Sequence, residues 1–191
     1  MSVIKTGEWM KLHGDVKLEL GDVAFLDGKY GDYEISGIWG ARRRREGNVN
    51  PSLAGIYVGD LGTCFAICIL GRRGTIMVHV PDHVGPFGLA PAELSTVTIM
   101  RANFARLWST YFSTHLDPPT VTIVRGPYTV ETDLTRAINR ICPEINAFCA
   151  NDYQCKGHPD PPESRHGTVL AIVDYRGTNG KEVYVEGVRV L

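Results

Sequence analysis

The chain has 191 residues, 43% of them hydrophobic, which is enough for one domain whose core needs no disulfide or metal. Its 21 acidic and 20 basic residues nearly cancel, so global charge argues against nucleic acid or anionic lipid as a partner. No apolar run approaches the ~20 residues that span a bilayer, and residues 1–8 do not resemble a signal peptide. We expect a soluble monomer, either cytoplasmic or exported by a leaderless route.

The first 50 residues are interrupted repeatedly by glycine and are predicted to form an irregular N-terminal extension of a single 1–191 domain. Within them, residues 16–20 alternate between apolar and polar like a half-buried strand. Four consecutive arginines at residues 42–45 are interpreted as a solvated loop, with a phosphate- or partner-docking patch as the alternative.

The middle of the chain carries the clearest strand signals. Residues 55–59 read as a strand that ends on glycine, and residues 65–70 form a continuous apolar run typical of a strand buried on both faces. A Gly-Arg-Arg-Gly turn at residues 71–74 separates that run from a second strand, residues 75–80, so the two strands are predicted to pair as a hairpin.

The remaining segments complete an α+β order. They are predicted as a helix over residues 102–114, a strand over 120–124, a helix over 132–141 with Thr132 as N-cap, a loop over 150–166, and a terminal hairpin of residues 168–175 and 182–190.

Cys64 and His79 form the candidate catalytic pair. Counting outward from the hairpin turn pairs Leu70 with Thr75 and Phe65 with Val80, which brings Cys64 and His79 to the same end of the hairpin. A cysteine attacks as its thiolate and needs a nearby base, and the preceding Gly62 and Thr63 allow backbone N–H groups to approach an oxyanion. The alternative is that both residues only pack in the core.

The other cysteines are predicted to be plain thiols. Cys68 shares the face of Cys64 deeper in the strand and is interpreted as packing. Cys142, Cys149, Cys155 and His158 lack the close CxxC spacing of zinc sites, so we expect no metal, although a disulfide within this group stays open in an oxidising compartment. A thiol-redox function is disfavoured for the same lack of CxxC.

Two segments resemble the active-site signature of the CheD family of chemoreceptor glutamine deamidases. They are Leu-Gly-Thr-Cys-Phe-Ala-Ile-Cys at residues 61–68 and Met-Val-His-Val-Pro-Asp at residues 77–82. In that family a Leu-Gly-Ser/Thr-Cys stretch opens an apolar strand and the histidine follows on the next. Toxin deamidases of the cytotoxic necrotizing factor type share this fold and dyad, as do, more distantly, protein N-terminal asparagine amidohydrolases. The likeness extends less clearly to the C-terminus and is absent over residues 1–50.

The resemblance implies a layered fold with a central mixed β-sheet or sandwich and helices packed on its outside. It also implies a protein-glutamine deamidase that needs no cofactor and acts on a partner protein through a thioester. A toxin or effector role, with delivery into a host cell by a leaderless route, is compatible with the resemblance. The family's third catalytic residue is a threonine six positions before the cysteine, where this chain has Val58. The Val58 carbonyl, or the Tyr57 hydroxyl, would then orient the imidazole, and His83 would line the cleft and contact substrate.

Three other functions stay open from the sequence. Transglutamination differs from deamidation only in whether an amine or water resolves the thioester. N-terminal amide hydrolysis uses the same chemistry on a different amide. A non-catalytic protein-binding domain that keeps the fold with a dead site is the alternative from another class.

Overall fold

The structure, a computed structural model, describes residues 16–27, 33–44, 54–113, 117–155, 167–173, 181–185 and 188–191. The helices of these residues are α1 Pro91–Tyr111 and α2 Glu131–Ile141, with 3-10 turns at Asp82–Val84 and Pro143–Ala147. The strands are β1 Val16–Lys17, β2 Val23–Asp27, β3 Tyr33–Gly37, β4 Gly40–Arg44, β5 Ala54–Leu61, β6 Phe65–Leu70, β7 Gly74–Val80, β8 Thr120–Arg125, β9 Ala150–Gln154, β10 Gly167–Val173, β11 Lys181–Val185 and β12 Val188–Arg189.

The predicted α+β class is confirmed. The described strands form a five-stranded sheet, ordered β1-β5-β10-β11-β12, and a seven-stranded sheet, ordered β4-β3-β2-β7-β6-β8-β9. Two hydrophobic cores separate the layers, because side chains of a strand alternate between faces. One core joins α1 and α2 to one face of the seven-stranded sheet, and the other lies between the two sheets. Neither described helix is long and apolar enough to cross a membrane.

The predicted central hairpin is confirmed in its register. β6 and β7 are antiparallel, with Leu70 opposite Thr75 and Phe65 opposite Val80. Every residue of both strands is buried, because β6 also pairs with β8 and β7 with β2, and a core lies on each face. Burial on both faces explains the continuous apolar run, which an alternating strand would not show.

Where the structure describes the first 50 residues, the predicted N-terminal extension of loops and short strands contains short strands that belong to the two sheets. β2, β3 and β4 make up one side of the seven-stranded sheet, and β2 pairs with β7 through Val23 and Val78. The strand predicted over residues 16–20 is reduced to β1, because the chain turns at Leu20 and at Gly21, whose φ of 84° suits glycine.

Three of the four arginines lie in a strand and not in the predicted loop. Residues 42–44 belong to β4, which is an edge strand of the large sheet and pairs with β3, while residue 45 lies outside the described residues. Charged residues are common on edge strands because they discourage pairing with another chain. Because three arginines interrupt any apolar alternation, the sequence pattern did not indicate a strand here.

Three boundaries also differ from prediction. α1 begins at Pro91, eleven residues before the predicted start, because most of its first two turns is exposed and shows little apolar periodicity. The N-cap of α2 is Val130, not Thr132. Within the predicted loop over 150–166, residues 150–154 form β9, a largely exposed polar strand parallel to β8, and residues 156–166 lie outside the described part.

The predicted terminal hairpin is present as β10 and β11, with Val169 opposite Val185. Its connecting residues, 174–180, are outside the described residues. β10 also pairs with β5, which makes the hairpin the centre of the small sheet and places that sheet over the Cys64 face of β6.

Replacing Phe25 tests whether the N-terminal strands belong to the fold. Phe25 is 2% exposed and stacks on Tyr111 of α1 with ring centroids 3.6 Å apart. Phe25→Ala should lower the free energy of unfolding by about 3–5 kcal/mol in urea denaturation, because it empties a packed core. The control is Trp39→Ala in the same region, which is 95% exposed and should change stability by less than about 0.5 kcal/mol. Equal small effects would show that these strands contribute nothing to stability.

Candidate active site

The Cys64 sulfur and the His79 imidazole are in contact at the end of the central hairpin. His79 Nε2 lies 3.4 Å from Cys64 Sγ. Ala66 is directly opposite His79, and Cys64 lies two residues earlier on the same face, so the contact is a diagonal pair across the two strands. Both side chains face the core between the sheets, with Cys64 8% and His79 5% exposed. The structure therefore brings together the two side chains that the sequence predicts to be close.

The backbone carbonyl of Leu18 orients the imidazole. His79 Nδ1 lies 3.3 Å from Leu18 O, and a carbonyl oxygen can only accept a hydrogen bond. In the neutral ring the proton must therefore be on Nδ1, which leaves the Nε2 lone pair facing the thiol. Leu18 is fully buried, and its N–H donates to Tyr57 O at 2.9 Å, so the carbonyl is fixed by the small sheet.

The assignment of the orienting role to Val58 or to the Tyr57 hydroxyl is corrected by this contact. The carbonyl that meets Nδ1 belongs to Leu18, in the segment that the sequence presented as an extension. Val58 is fully buried in the core between the sheets, and Tyr57, one residue earlier, points to the opposite face of β5. Tyr57 contributes its backbone carbonyl, which holds Leu18 in place.

Burial lowers the pKa of His79 below its ordinary value. The hydrogen bond with Leu18 and the negative charge of Glu19 act in the opposite direction, while the positive charge of Lys17 lowers the pKa further. Burial has the largest effect, so the imidazole is neutral at neutral pH and can accept a proton from the thiol.

The turn that carries the cysteine is held by the loop that follows β8. Tyr128 N–H donates to Gly62 O at 3.1 Å, and Gly126 N–H donates to Cys64 O at 3.1 Å. The approach is so close that a Cβ on Gly126 would overlap the Gly62 carbonyl. Only glycine fits at residue 126, because its backbone lies against the Gly62–Cys64 turn.

Thr129 completes this support through its side chain. Its hydroxyl lies 3.1 Å from Thr63 O and 3.0 Å from Cys64 O. Since trans peptide units point C=O and N–H in opposite directions, the N–H groups of Thr63 and Cys64 point away from this loop. Thr129 was not among the predicted site residues, because its contact with Cys64 depends on a loop 65 residues away in the chain.

An acidic residue, Asp82, lies at the surface beside the Cys64 turn. Thr63 Oγ1 donates to Asp82 Oδ2 at 2.7 Å, and Asp82 Oδ1 accepts the His83 N–H at 2.8 Å. Thr63 and Asp82 are exposed, and His83 is half-buried with its ring Nδ1 3.9 Å from Asp82 Oδ1. The predicted site residues Gly62, Thr63 and His83 thus lie around Cys64 or beside Asp82, a residue of the 77–82 segment to which the sequence analysis assigned no role.

All five cysteines are free thiols. Cys68, Cys142 and Cys155 are buried and Cys149 is exposed. Burial raises the pKa of the Cys68 and Cys142 thiols above its ordinary value, which suits inert packing residues. Among the described residues no three His, Cys, Asp or Glu side chains converge as metal ligands, and His158 lies outside them.

No protein-family model matches this chain, and a search of curated proteins finds no match either. The function must therefore be argued from the residues and their geometry. The features that carry that argument are the contact between Cys64 and His79, the Leu18 carbonyl behind the imidazole, and the loop that holds the Cys64 turn.

Gly126→Ala should damage the site through the backbone. Its Cβ would overlap the Gly62 carbonyl oxygen and lie 2.9 Å from Cys64 O, neither of which can rotate away. We expect a loss of about 1–3 kcal/mol in unfolding free energy from overpacking, measured by urea denaturation. The matched control is Gly62→Ala, whose Cβ would meet nothing within 4 Å and should be close to neutral for stability. Equal effects of both substitutions would contradict the close packing of the two loops.

Neighbouring charges should move the His79 pKa in opposite directions. Glu19→Gln removes a negative charge that raises the pKa, so it should lower the pKa, whereas Lys17→Gln should raise it. Both side chains are exposed, which favours intact folding of the variants. An NMR titration of the ring nitrogens of His79 measures these shifts directly. Shifts of the same sign, or none in either variant, would contradict the charges assigned to this environment.

Proposed function

We propose that this protein is a cysteine-dependent protein-glutamine deamidase. The observation that carries the proposal is that the His79 ring contacts Cys64 Sγ through one nitrogen, at 3.4 Å, and Leu18 O through the other, at 3.3 Å. A nucleophile, a base and a group that orients the base are the parts that amide hydrolysis through a thiol requires.

The chemistry divides into two steps. In the first, His79 Nε2 accepts the thiol proton, and the Cys64 sulfur attacks the carboxamide carbon of a glutamine side chain. The C–N bond then breaks, ammonia leaves with a proton from the imidazolium, and a thioester remains on Cys64. In the second step, His79 removes a proton from a water molecule that attacks the thioester, which releases glutamate and restores the thiol.

The oxyanion of each tetrahedral intermediate requires hydrogen-bond donors. The N–H groups of Thr63 and Cys64 are suited to this role, because the carbonyls of Gly62, Thr63 and Cys64 accept from the loop after β8 and leave these N–H groups directed elsewhere. Backbone donors fixed by a second loop need no rearrangement during the reaction. Their rigidity supports a catalytic over a purely packing role for this turn.

The likeness of residues 61–68 and 77–82 to the CheD and necrotizing-factor deamidases supports the same chemistry. The layers, with helices outside a pair of sheets, agree with the fold that this likeness implies. The orienting carbonyl of Leu18 fills the role that the family's threonine fills, where this chain has Val58. We propose a glutamine on a partner protein as substrate and require no metal or cofactor for the reaction.

A proteome extract treated with the purified protein tests this function. After protease digestion, mass spectrometry should find glutamine converted to glutamate at specific sites by the wild type and by Cys149→Ser, which replaces an exposed thiol outside the site. Cys64→Ser should abolish conversion, and His79→Asn should slow it about 10²–10⁴-fold through loss of the base.

Other reaction products would indicate a different function. Added primary amine found on glutamine would indicate transglutamination, and conversion confined to N-terminal residues would indicate N-terminal amide hydrolysis. No conversion of any amide by the wild type would contradict the enzyme and favour a binding domain that keeps the fold.

A further inference from the structure

The exposed large apolar side chains are concentrated at one end of the seven-stranded sheet. Trp39 is 95% exposed, Phe87 79% and Tyr128 65%, although large aromatic side chains are usually mostly buried. Among the described residues, the exposed large apolar side chains are Leu20, Trp39, Phe87, Leu94, Tyr128, Val130 and Val188. Five of these seven, which we call the apolar rim, lie on loops around the Cys64–His79 end: Leu20, Trp39, Phe87, Tyr128 and Val130.

Leu20 and Trp39 are brought to this end by contacts of their neighbours. Gly21 N–H donates to His79 O at 2.9 Å, which places Leu20 beside the end of β7. A Cβ on Gly21 would lie 3.0 Å from the Ile38 side chain, so the β3–β4 turn that carries Trp39 packs on the same segment. The two apolar residues therefore flank the histidine side of the site.

Tyr128 flanks the cysteine side, and Phe87 lies beside the first turns of α2. Tyr128 N–H donates to Gly62 O, two residues before the nucleophile. Phe87 lies on the loop after β7, with the Arg136 guanidinium 4.0 Å from its ring centroid, and Arg136 also donates to Gly85 O at 2.8 Å. Because one face of the Phe87 ring is held by this cation, the ring is fixed in an exposed position.

Acidic groups lie within this apolar rim. Asp82 has 53% of its side chain exposed while its carboxylate is held in place by Thr63 and by the His83 N–H. Glu19 adds a negative charge on the side of His79, opposed there by Lys17. A carboxylate fixed beside the nucleophile favours a positive charge on whatever enters the site.

These observations select one occupant for the surface. We infer that the apolar rim and Asp82 dock an extended segment of a partner protein in which apolar side chains surround the glutamine and a basic residue lies beside it. The inference rests on the proposed function, because the segment enters where Cys64 would attack. It adds to the proposed reaction the way in which the substrate is recognised. Apolar contacts supply affinity, and Asp82 favours a substrate with a positive charge next to the glutamine.

Binding of labelled peptides to the full-length Cys64→Ala protein tests the inference without turnover. Three fluorescent peptides of equal length carry one central glutamine, flanked by leucine, tryptophan and lysine, by leucine, tryptophan and glutamate, or by serine and lysine. Fluorescence anisotropy should show that the first peptide binds about tenfold more tightly than either of the others. A difference of this size is expected from one buried aromatic contact at the interface.

Variants of the surface residues show which side chains cause the preference for the first peptide. Trp39→Ser and Phe87→Ser should each weaken the first peptide about tenfold, while Asp82→Asn should reduce only the preference for lysine over glutamate, by about threefold at an exposed site. Val188→Ser and Asp117→Asn are the controls, because Val188 is 45% exposed on the far edge of the small sheet and Asp117 pairs with Arg72 at the other end of the hairpin. Neither control should change binding.

Each result separates this inference from the proposed function. Equal affinity for the three peptides, or binding unchanged by Trp39→Ser and Phe87→Ser, would overturn the docking surface even if the wild type deamidates glutamine. Selective binding that depends on these residues, together with no conversion of glutamine by the wild type, would keep the docking surface and reject the deamidase.

Discussion

The antiparallel register of β6 and β7 is the constraint on which the candidate site depends. Side chains on a strand alternate between faces, so a slip of one residue would turn His79 into the core under the helices and away from Cys64. The register is fixed at the turn by a Gly71–Gly74 backbone bond of 2.9 Å and along its length by the strands on either side. Two buried faces then make any other register costly, because each face packs a different core.

The second requirement is that the two sheets meet. The His79 ring belongs to the large sheet, whereas the Leu18 carbonyl that orients it follows β1 of the small sheet. Backbone bonds from Gly21 to His79 and from His79 to Asp22 join the two at this point, at 2.9 and 3.0 Å. The contact of His79 with Cys64 and Leu18 thus depends on the sandwich rather than on the hairpin alone, and partial unfolding of the N-terminal segment would release the imidazole.

The sequence predicted the hairpin, its register and the meeting of Cys64 with His79, because residues 65–70 and 75–80 are buried on both faces and a short turn joins them. It did not predict the partners that come from distant loops. Leu18 acts through its backbone, which no side-chain pattern encodes, and Thr129 and Asp82 acquire their roles only when loops converge. The edge strands β4 and β9 were missed because arginine and other polar residues replace the apolar alternation that marks a strand in sequence.

The reactivity of Cys64 compared with that of Cys149 tests the central claim most directly. Cys149 is exposed and serves as an internal reference, while Cys64 is only 8% exposed. If His79 activates the sulfur, iodoacetamide at neutral pH should alkylate Cys64 faster than Cys149, and His79→Asn should reverse that order without changing the Cys149 rate. Faster alkylation of Cys149 in the wild type, unchanged by His79→Asn, would show that the two side chains touch but do not form a catalytic pair.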